Sequence, residues 1–541
     1  MRNKLAWMIC LGSLAMYGLL AASSTLWDRD EPRFARATME MVESGNYLYP
    51  TFNGQLRPDK PIMIYWAMAA FVKVLGCDEL AFRAPSIIGM AISCYITFLI
   101  GRELFCARTG LWAAVILATS LMAIVEGTAA TADGLLLACM MAVIWQYIKA
   151  EGRMGLAQTL SMGIALGLAL LTKGPVGLLP VLVILVSGYL LRKDRLDTTG
   201  WVWHVILACV LATIIFLAWA VPANRATGGL FAKAGLGHHV FGRSIRPLEG
   251  HGGRWVLFLP YYIPVAVVFL FPWSIHLPGA ISAMIGGRLA GRKELVLLLA
   301  WICTVFGIMT IVATKLPHYV LFAWPALAVI VARTLVQADA CALAERDVRY
   351  LKAGVFIYGP LALGFALGLG SSGWIIGTKA WPGLTAAVMV SLTAAAAIYL
   401  QVKGRFVRSS LVSALGTLAL VGAIATLVMP ALEQVKISPQ VAKALRPQLG
   451  DEPVATYGYA EPTLNFYLAR RLDHLANPVQ VRQWFEDAAR GVLIIPQQDL
   501  DAIQYRYGPL QYSVIASAIG YNYSKGRRMT VLAVRKGSSD G

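Results

Sequence analysis

Asp28-Arg29-Asp30-Glu31-Pro32-Arg33-Phe34, answered one loop later by Arg57-Pro58-Asp59-Lys60-Pro61, are two dense runs of charge and proline in a chain that has little of either. Hydrophobic residues make up 58% of the 541 positions and charged residues 14%, far from the globular average. The first run follows directly on an apolar stretch, Leu5 to Leu26, long enough to cross a bilayer as a helix. The same stretch, with Ala21-Ala22-Ser23 at its end, also fits a cleavable signal peptide. The charged runs therefore sit at a membrane boundary, where ion pairs and catalysis concentrate.

Working outward, apolar spans are expected at 84–101, 110–126, 132–148, 155–172, 175–191, 201–222, 254–277, 295–313, 318–336, 353–370, 381–401 and 409–429. With the first helix they make about thirteen. The formal net charge of +18 would suggest nucleic acid in a soluble protein, but here the basic residues fall in short loops between spans, so no nucleic-acid partner is expected. With the N-terminus inside, alternate turns carry Arg102 and Arg108, then Lys149 and Arg153, then Arg192, Lys193 and Arg195. The pattern continues through Arg288, Arg292 and Lys293, Arg346, Arg349 and Lys352, and Lys403, Arg405 and Arg408. Cytoplasmic loops collect Lys and Arg in this way. The fold class is a polytopic α-helical membrane protein.

Two domains are expected: residues 1–429, with an outer first loop over 27–80, and 430–541. Within the loop, Phe34, Ala37, Met41 and Val42 lie at helical spacing opposite Arg33, Arg36, Glu40 and Glu43, predicting an amphipathic helix along the membrane surface. Residues 62–80 read as juxtamembrane. Beyond Pro430 short strand-like runs at 454–458, 491–495, 512–516 and 529–534 alternate with helical segments, predicting a small extracytoplasmic α/β domain. The eight cysteines form neither a CxxC pair nor a disulfide framework.

This topology brings the first loop, the turn before Asp133, Lys173, the 223–252 loop with His238, His239 and Arg243, and Lys315-Leu-Pro-His-Tyr319 to one outer face. Charges from separate loops on one face signal an active site. A carboxylate there could activate or hold an acceptor, and Lys60, Arg33 and Arg243 could bind a lipid-linked phosphate, a leaving group that needs cations rather than a general acid. The same residues admit plainer roles. Asp30 and Glu31 would also start a helix well, Lys60 could snorkel, Asp133 could cap a helix, and Lys173 and Lys315 could be interfacial anchors. A transporter would instead need broken helices and charges near the midplane, and a non-enzymatic scaffold would not need charged loops gathered on one face.

The Asp30-Glu31-Pro32-Arg33-Phe34 run, the thirty-residue spacing to Lys60 in Asp-Lys-Pro, and the many-helix layout resemble the GT-C membrane glycosyltransferases, in the branch holding lipid A aminoarabinose transferase and the protein O-mannosyltransferases. The resemblance implies an inverting enzyme of the bacterial inner membrane that takes a sugar from a polyprenyl phosphate and passes it to lipid A or another envelope glycan or protein acceptor. It implies a catalytic role for Asp30, with Glu31 beside it, and substrate contacts by Arg33, Lys60, Asp133, Arg243 and Tyr319. A divalent metal shared by Asp59 and His239 is also implied, with membrane lipids as surroundings and a monomer as the expected state. Phe34 stands where the family has Tyr, and Asp59 where it has Glu.

Overall fold

The computed structural model describes residues 2–150, 154–191, 199–233, 235, 259–289, 291–487 and 491–536. The chain opens with α1 (Arg2–Ala22), then α2 (Asp30–Ser44), a hairpin of β1 (Thr51–Phe52) and β2 (Gln55–Leu56), and α3 (Met63–Leu75). It continues into α4 (Glu79–Leu104), α5 (Ala107–Ala118), α6 (Leu121–Thr128), α7 (Asp133–Lys149), α8 (Leu156–Lys173), α9 (Leu179–Leu190) and α10 (Thr199–Ala226). At 13 residues α3 is about 20 Å long, too short to cross a bilayer.

Among the described residues nine helices are long and apolar enough to cross a membrane, or up to eleven if each of two bent pairs counts as one span. The expected thirteen are therefore not seen as thirteen separate long helices. Leu156–Leu190 runs as one apolar stretch of 35 residues, interrupted only by a tight turn at Gly174–Leu178, and α7 has 17 residues. The bent pairs are α5 with α6, at 61°, and 259–269 with Trp273–Ile285, at 108°. A break inside a bilayer frees backbone groups that must find partners. Here the two breaks serve each other: Leu121 N donates to Phe271 O at 3.0 Å and Trp273 Nε1 to Thr119 Oγ1 at 3.0 Å.

Small residues bring two of the site's helices backbone to backbone. A Cβ on Gly89 of α4 would lie 2.5 Å from Gly134 O of α7, and one on Gly134 would lie 2.6 Å from Ser86 O. The two backbones touch, the usual way for helices to pack tightly where the hydrophobic effect between them is weak. On the other side of α4, Tyr17 of α1 reaches past it to donate to Ala118 O at 2.7 Å.

The amphipathic helix does not lie with its charged side open. Carboxylates in its first turn and Gly45 in the left-handed region (φ 70°) bound α2, but Arg36 and Glu40 are both buried. The hairpin packs onto that side. Glu40 accepts from Thr51 Oγ1 (2.7 Å), Asn53 N (2.8 Å) and Gly54 N (3.2 Å), and Arg36 pairs with Glu40 (3.3 Å) and Glu43 (2.9 Å). Periodicity marks a polar side as solvent-facing and cannot see a turn that saturates it.

From Ile437 onward the chain builds a five-stranded sheet of β3 (Val454–Thr456), β4 (Asp473–His474), β5 (Val492–Pro496), β6 (Tyr512–Asn522) and β7 (Arg527–Lys536), in the order β4-β3-β5-β7-β6. β3 pairs parallel with β4 and β5, and β7 runs antiparallel to β5 and β6. Helix Ile437–Leu445 covers one face through Ile437, Val441 and Leu445, and Val481, Phe485, Leu500 and Ile503 cover the other. β3 and β5 are buried throughout, and β5 reads as a continuous apolar run.

Candidate active site

Segment 21–31 is held along its length before it delivers Asp30. Arg83 of α4, almost fully buried, donates through Nη1 to Ala21 O (2.5 Å) and Ser24 O (2.6 Å), and through Nη2 to Thr25 O (3.1 Å). It also grips both oxygens of Glu31, Nε to Oε1 at 2.8 Å and Nη2 to Oε2 at 2.7 Å. Glu31 further accepts from Trp27 N (2.7 Å) and from Ala130 N (2.6 Å), ahead of α7. Burial alone would raise the Glu31 carboxyl, but the guanidinium and these N–H groups outweigh it and hold the group below its ordinary value. The Glu31 carboxylate, expected beside the catalytic Asp30, is taken up by Arg83 and two backbone amides and ties α2 to α4.

Asp30, the first residue of α2, is exposed and lines a polar cavity of about 480 Å³ together with Arg33, Asp59, Lys60, Asp133 and Tyr319. Six of the residues singled out as catalytic or substrate-binding, Asp30, Glu31, Arg33, Lys60, Asp133 and Tyr319, thus line one cavity. Arg57 ties the Arg-Pro-Asp-Lys-Pro loop to α2. It pairs with Asp59 at 2.9 Å, donates to Tyr65 OH at 3.2 Å and sits 5.4 Å from the centre of the Phe34 ring. Asp133 opens α7 and pairs with Lys173, which ends α8, at 2.5 Å, and both side chains are about nine-tenths buried. Lys173 Nζ also lies 5.6 Å from the centre of the Tyr319 ring. The neighbouring His318 places Nδ1 3.8 Å from Glu126 Oε1, near the C-terminal end of α6.

A second, mostly apolar cavity of about 410 Å³ lies between α7, α8, α9 and α10, lined by residues such as Leu137, Met140, Leu179, Phe216, Trp219 and Phe322. Asp59, Lys60, Asp133, Lys173, His318 and Tyr319 belong to both cavities. They form a polar wall with an apolar chamber on one side and a charged one on the other.

Other expectations change. Lys315 donates to Met309 O (3.0 Å), Thr310 O (2.5 Å) and Val312 O (2.6 Å), so it caps the C-terminus of helix Arg292–Ile311 and is not a ligand-facing cation. His238, His239, Arg243, Arg246, Arg254 and Trp255 lie outside the described residues. Of the implied metal pair, His239 lies outside the described residues and the Asp59 carboxylate is paired with Arg57; among the described residues no group of three His, Cys, Asp or Glu is arranged to hold a metal ion. Arg83 and Glu126 were missed. Glu126 is the one charge of the apolar α6, and Arg83 stands just ahead of the long apolar run of α4, each a signal in its own right.

Residues 59–219 match the family described as dolichyl-phosphate-mannose-protein mannosyltransferase. The chain is 27% identical over 317 residues to undecaprenyl phosphate-alpha-4-amino-4-deoxy-L-arabinose arabinosyl transferase 2 of Proteus mirabilis, covering 58% of this chain and 56% of that one. It is 27% identical over 360 residues to the corresponding transferase of Shewanella sediminis, covering 65% and 63%. The match thus spans less than two thirds of the length of these relatives. Among solved structures, ArnT from Cupriavidus metallidurans bound to undecaprenyl phosphate superimposes with a TM-score of 0.77 at 20% identity, covering 98% of both chains. The oligosaccharyltransferase AglB from Archaeoglobus fulgidus follows at a TM-score of 0.52 and 13% identity, covering 92% of this chain and 70% of AglB. These likenesses establish a shared fold.

Proposed function

We propose that this chain, which resembles the GT-C membrane glycosyltransferases and among them the aminoarabinose transferases, moves a sugar from a polyprenyl-phosphate donor to lipid A. The observation that carries this reading is the wall shared by an apolar and a polar cavity. A polyprenyl-phosphate sugar has the same division. Its tail suits the apolar chamber, its phosphate the wall at Lys60, and its sugar the charged chamber where Asp30 stands. Asp30 holds the acceptor and takes up its proton if it bears one, the acceptor oxygen attacks the anomeric carbon from the face opposite the phosphate, and the bond to the phosphate oxygen breaks. Lys60 and Arg33 stabilise the charge left on that phosphate. The product is an inverted glycosidic linkage and a free polyprenyl phosphate.

Mass spectrometry of lipid A from cells with and without the protein tests the function. A protein-dependent aminoarabinose addition is expected. Unmodified lipid A together with a newly glycosylated protein would replace this reading by the mannosyltransferase-like one, toward which the match over residues 59–219 leans.

Lys60→Ala is expected to raise the donor KM by about 10- to 100-fold, the worth of one charge-assisted hydrogen bond of roughly 1.5–3 kcal/mol. Kinetics at varied donor concentration checks this, and an unchanged KM removes Lys60 from the phosphate.

In this reading the site faces away from the cytoplasm. Thirteen spans follow if α7 crosses and Leu156–Leu190 crosses twice, turning at Gly174–Leu178. The alternation of basic turns then puts the first loop and the C-terminal α/β unit outside together. A reporter fused within the C-terminal unit is expected to read as extracytoplasmic; a cytoplasmic signal would remove the one-face argument.

A further inference from the structure

The segment that delivers Asp30 is held from a second direction, by the C-terminal α/β unit. Asp28, two residues before Asp30, accepts from Thr463 N at 2.9 Å through Oδ1 and from Thr463 Oγ1 at 2.8 Å through Oδ2. Thr463 lies in the first turn of helix Pro462–Leu468. Its hydroxyl also lies 2.7 Å from Ser438 Oγ, which is 2.7 Å from Tyr459 OH, so a buried run of hydroxyls ends on the Asp28 carboxylate. Around this point the same unit adds further grips. Tyr467 OH accepts from Leu26 N at 2.8 Å, Lys436 Nζ donates to Thr25 O at 2.9 Å and lies 3.8 Å from the Trp27 ring centre, and Arg29 pairs with Glu461 at 3.6 Å.

Asp28, Arg29 and Asp30 all line the polar cavity. Asp28 turns its carboxylate to the C-terminal unit, and Asp30 stands exposed in the cavity at the start of α2. With a single residue between them, a shift of Asp28 is passed to Asp30. An exposed serine or threonine pair would glue two domains at lower cost than a carboxylate withdrawn from water. Burial pushes the Asp28 carboxyl up to about 6 against the lowering pull of its two bonds from Thr463; Glu461 pushes it further up and Lys436 draws it down. Tyr459 and Tyr523 face the same carboxylate.

We propose that the C-terminal unit is a working part of the transfer site, with Thr463 as a positioning residue that fixes the Asp28–Asp30 corner and so aims Asp30 at the reacting centre. This rests on the reading of Asp30 as the carboxylate that handles the acceptor. It assigns the C-terminal unit a task in turnover and makes kcat, rather than donor binding, the quantity that Thr463 controls.

Thr463→Val, measured in the full-length membrane protein, removes the hydroxyl at nearly constant volume and keeps the backbone N–H bond. The expected result is a fall in kcat of about tenfold, since misplacements of about 1 Å cost up to about 10²-fold, with donor KM and thermal midpoint unchanged and kcat restored in Thr463→Ser. An unchanged kcat, or a loss that tracks a lowered midpoint and returns on cooling, overturns the proposal. If Thr463→Val does not accumulate, Asp28→Asn is read instead through its pH profile. The wild type is expected to lose kcat below pH about 6, as protonation turns an Asp28 acceptor into a donor, and Asp28→Asn to lack that limb. A limb that persists in Asp28→Asn overturns the proposal. Asp30→Asn is run alongside. Normal turnover there fells the reading of Asp30 itself, whereas full loss in Asp30→Asn with normal kcat in Thr463→Val fells the positioning role of Thr463 alone.

Discussion

Asp30→Asn is expected to reduce sugar transfer by about 10³-fold while leaving expression and the thermal midpoint near wild type, because general-base and charge-stabilising groups typically contribute about 10²–10⁴-fold. Two features separate this residue from its neighbour. Asp30 is exposed in the polar cavity, whereas Glu31 is buried and taken up by Arg83, Trp27 N and Ala130 N. Asn keeps the size of the side chain and an oxygen acceptor at the first turn of α2, so the helix loses only the charge–dipole contribution of about 0.3–1 kcal/mol. A single-turnover assay with donor in excess checks the result. Turnover within tenfold of wild type would remove Asp30 from the chemistry.

Arg83→Met is expected to act the other way, through folding. Arg83 makes five hydrogen bonds, three to the carbonyls of segment 21–25 and two to Glu31. Methionine fills much of the space but strands the Glu31 carboxylate in a buried site. Removing one partner of a buried pair costs about 3–5 kcal/mol, a large share of an ordinary domain's stability. Thermal unfolding of the purified protein should show a markedly lowered midpoint, or the protein should fail to accumulate. Arg83→Met with a wild-type midpoint would mean that α1 and α2 are fixed by other contacts.

The comparison of the two variants indicates what the amino-acid sequence made legible. Charge stands out in an apolar chain, so the Asp30 run, Lys60 and Asp133 could be found by where they fall, while Tyr319 came from the family resemblance, and the structure brings them to one cavity. Strand β5 was readable because burial on both faces leaves an unbroken apolar run. What escaped was pairing. Nothing in the spacing of Arg36 and Glu40 announces that a hairpin will cover them, and nothing in Lys315 distinguishes a helix cap from a ligand. Asp133 and Lys173 were each visible, but their ion pair depends on α7 starting at the height where α8 ends. The span count depends on what a helix does at Gly174, where hydropathy continues unbroken through a turn.

The backbone contact between α4 and α7 has a mechanical consequence. Asp30 hangs from α4 through Glu31 and Arg83, and Asp133 starts α7 beside Gly134, which rests on the α4 backbone. Bilayers of different thickness tilt and bend the helices they hold. With no compressible side chain at that crossing, α4 is a common ruler for both carboxylates. The α4 anchorage of both carboxylates is expected to change little while the surrounding lipid stretches or thins.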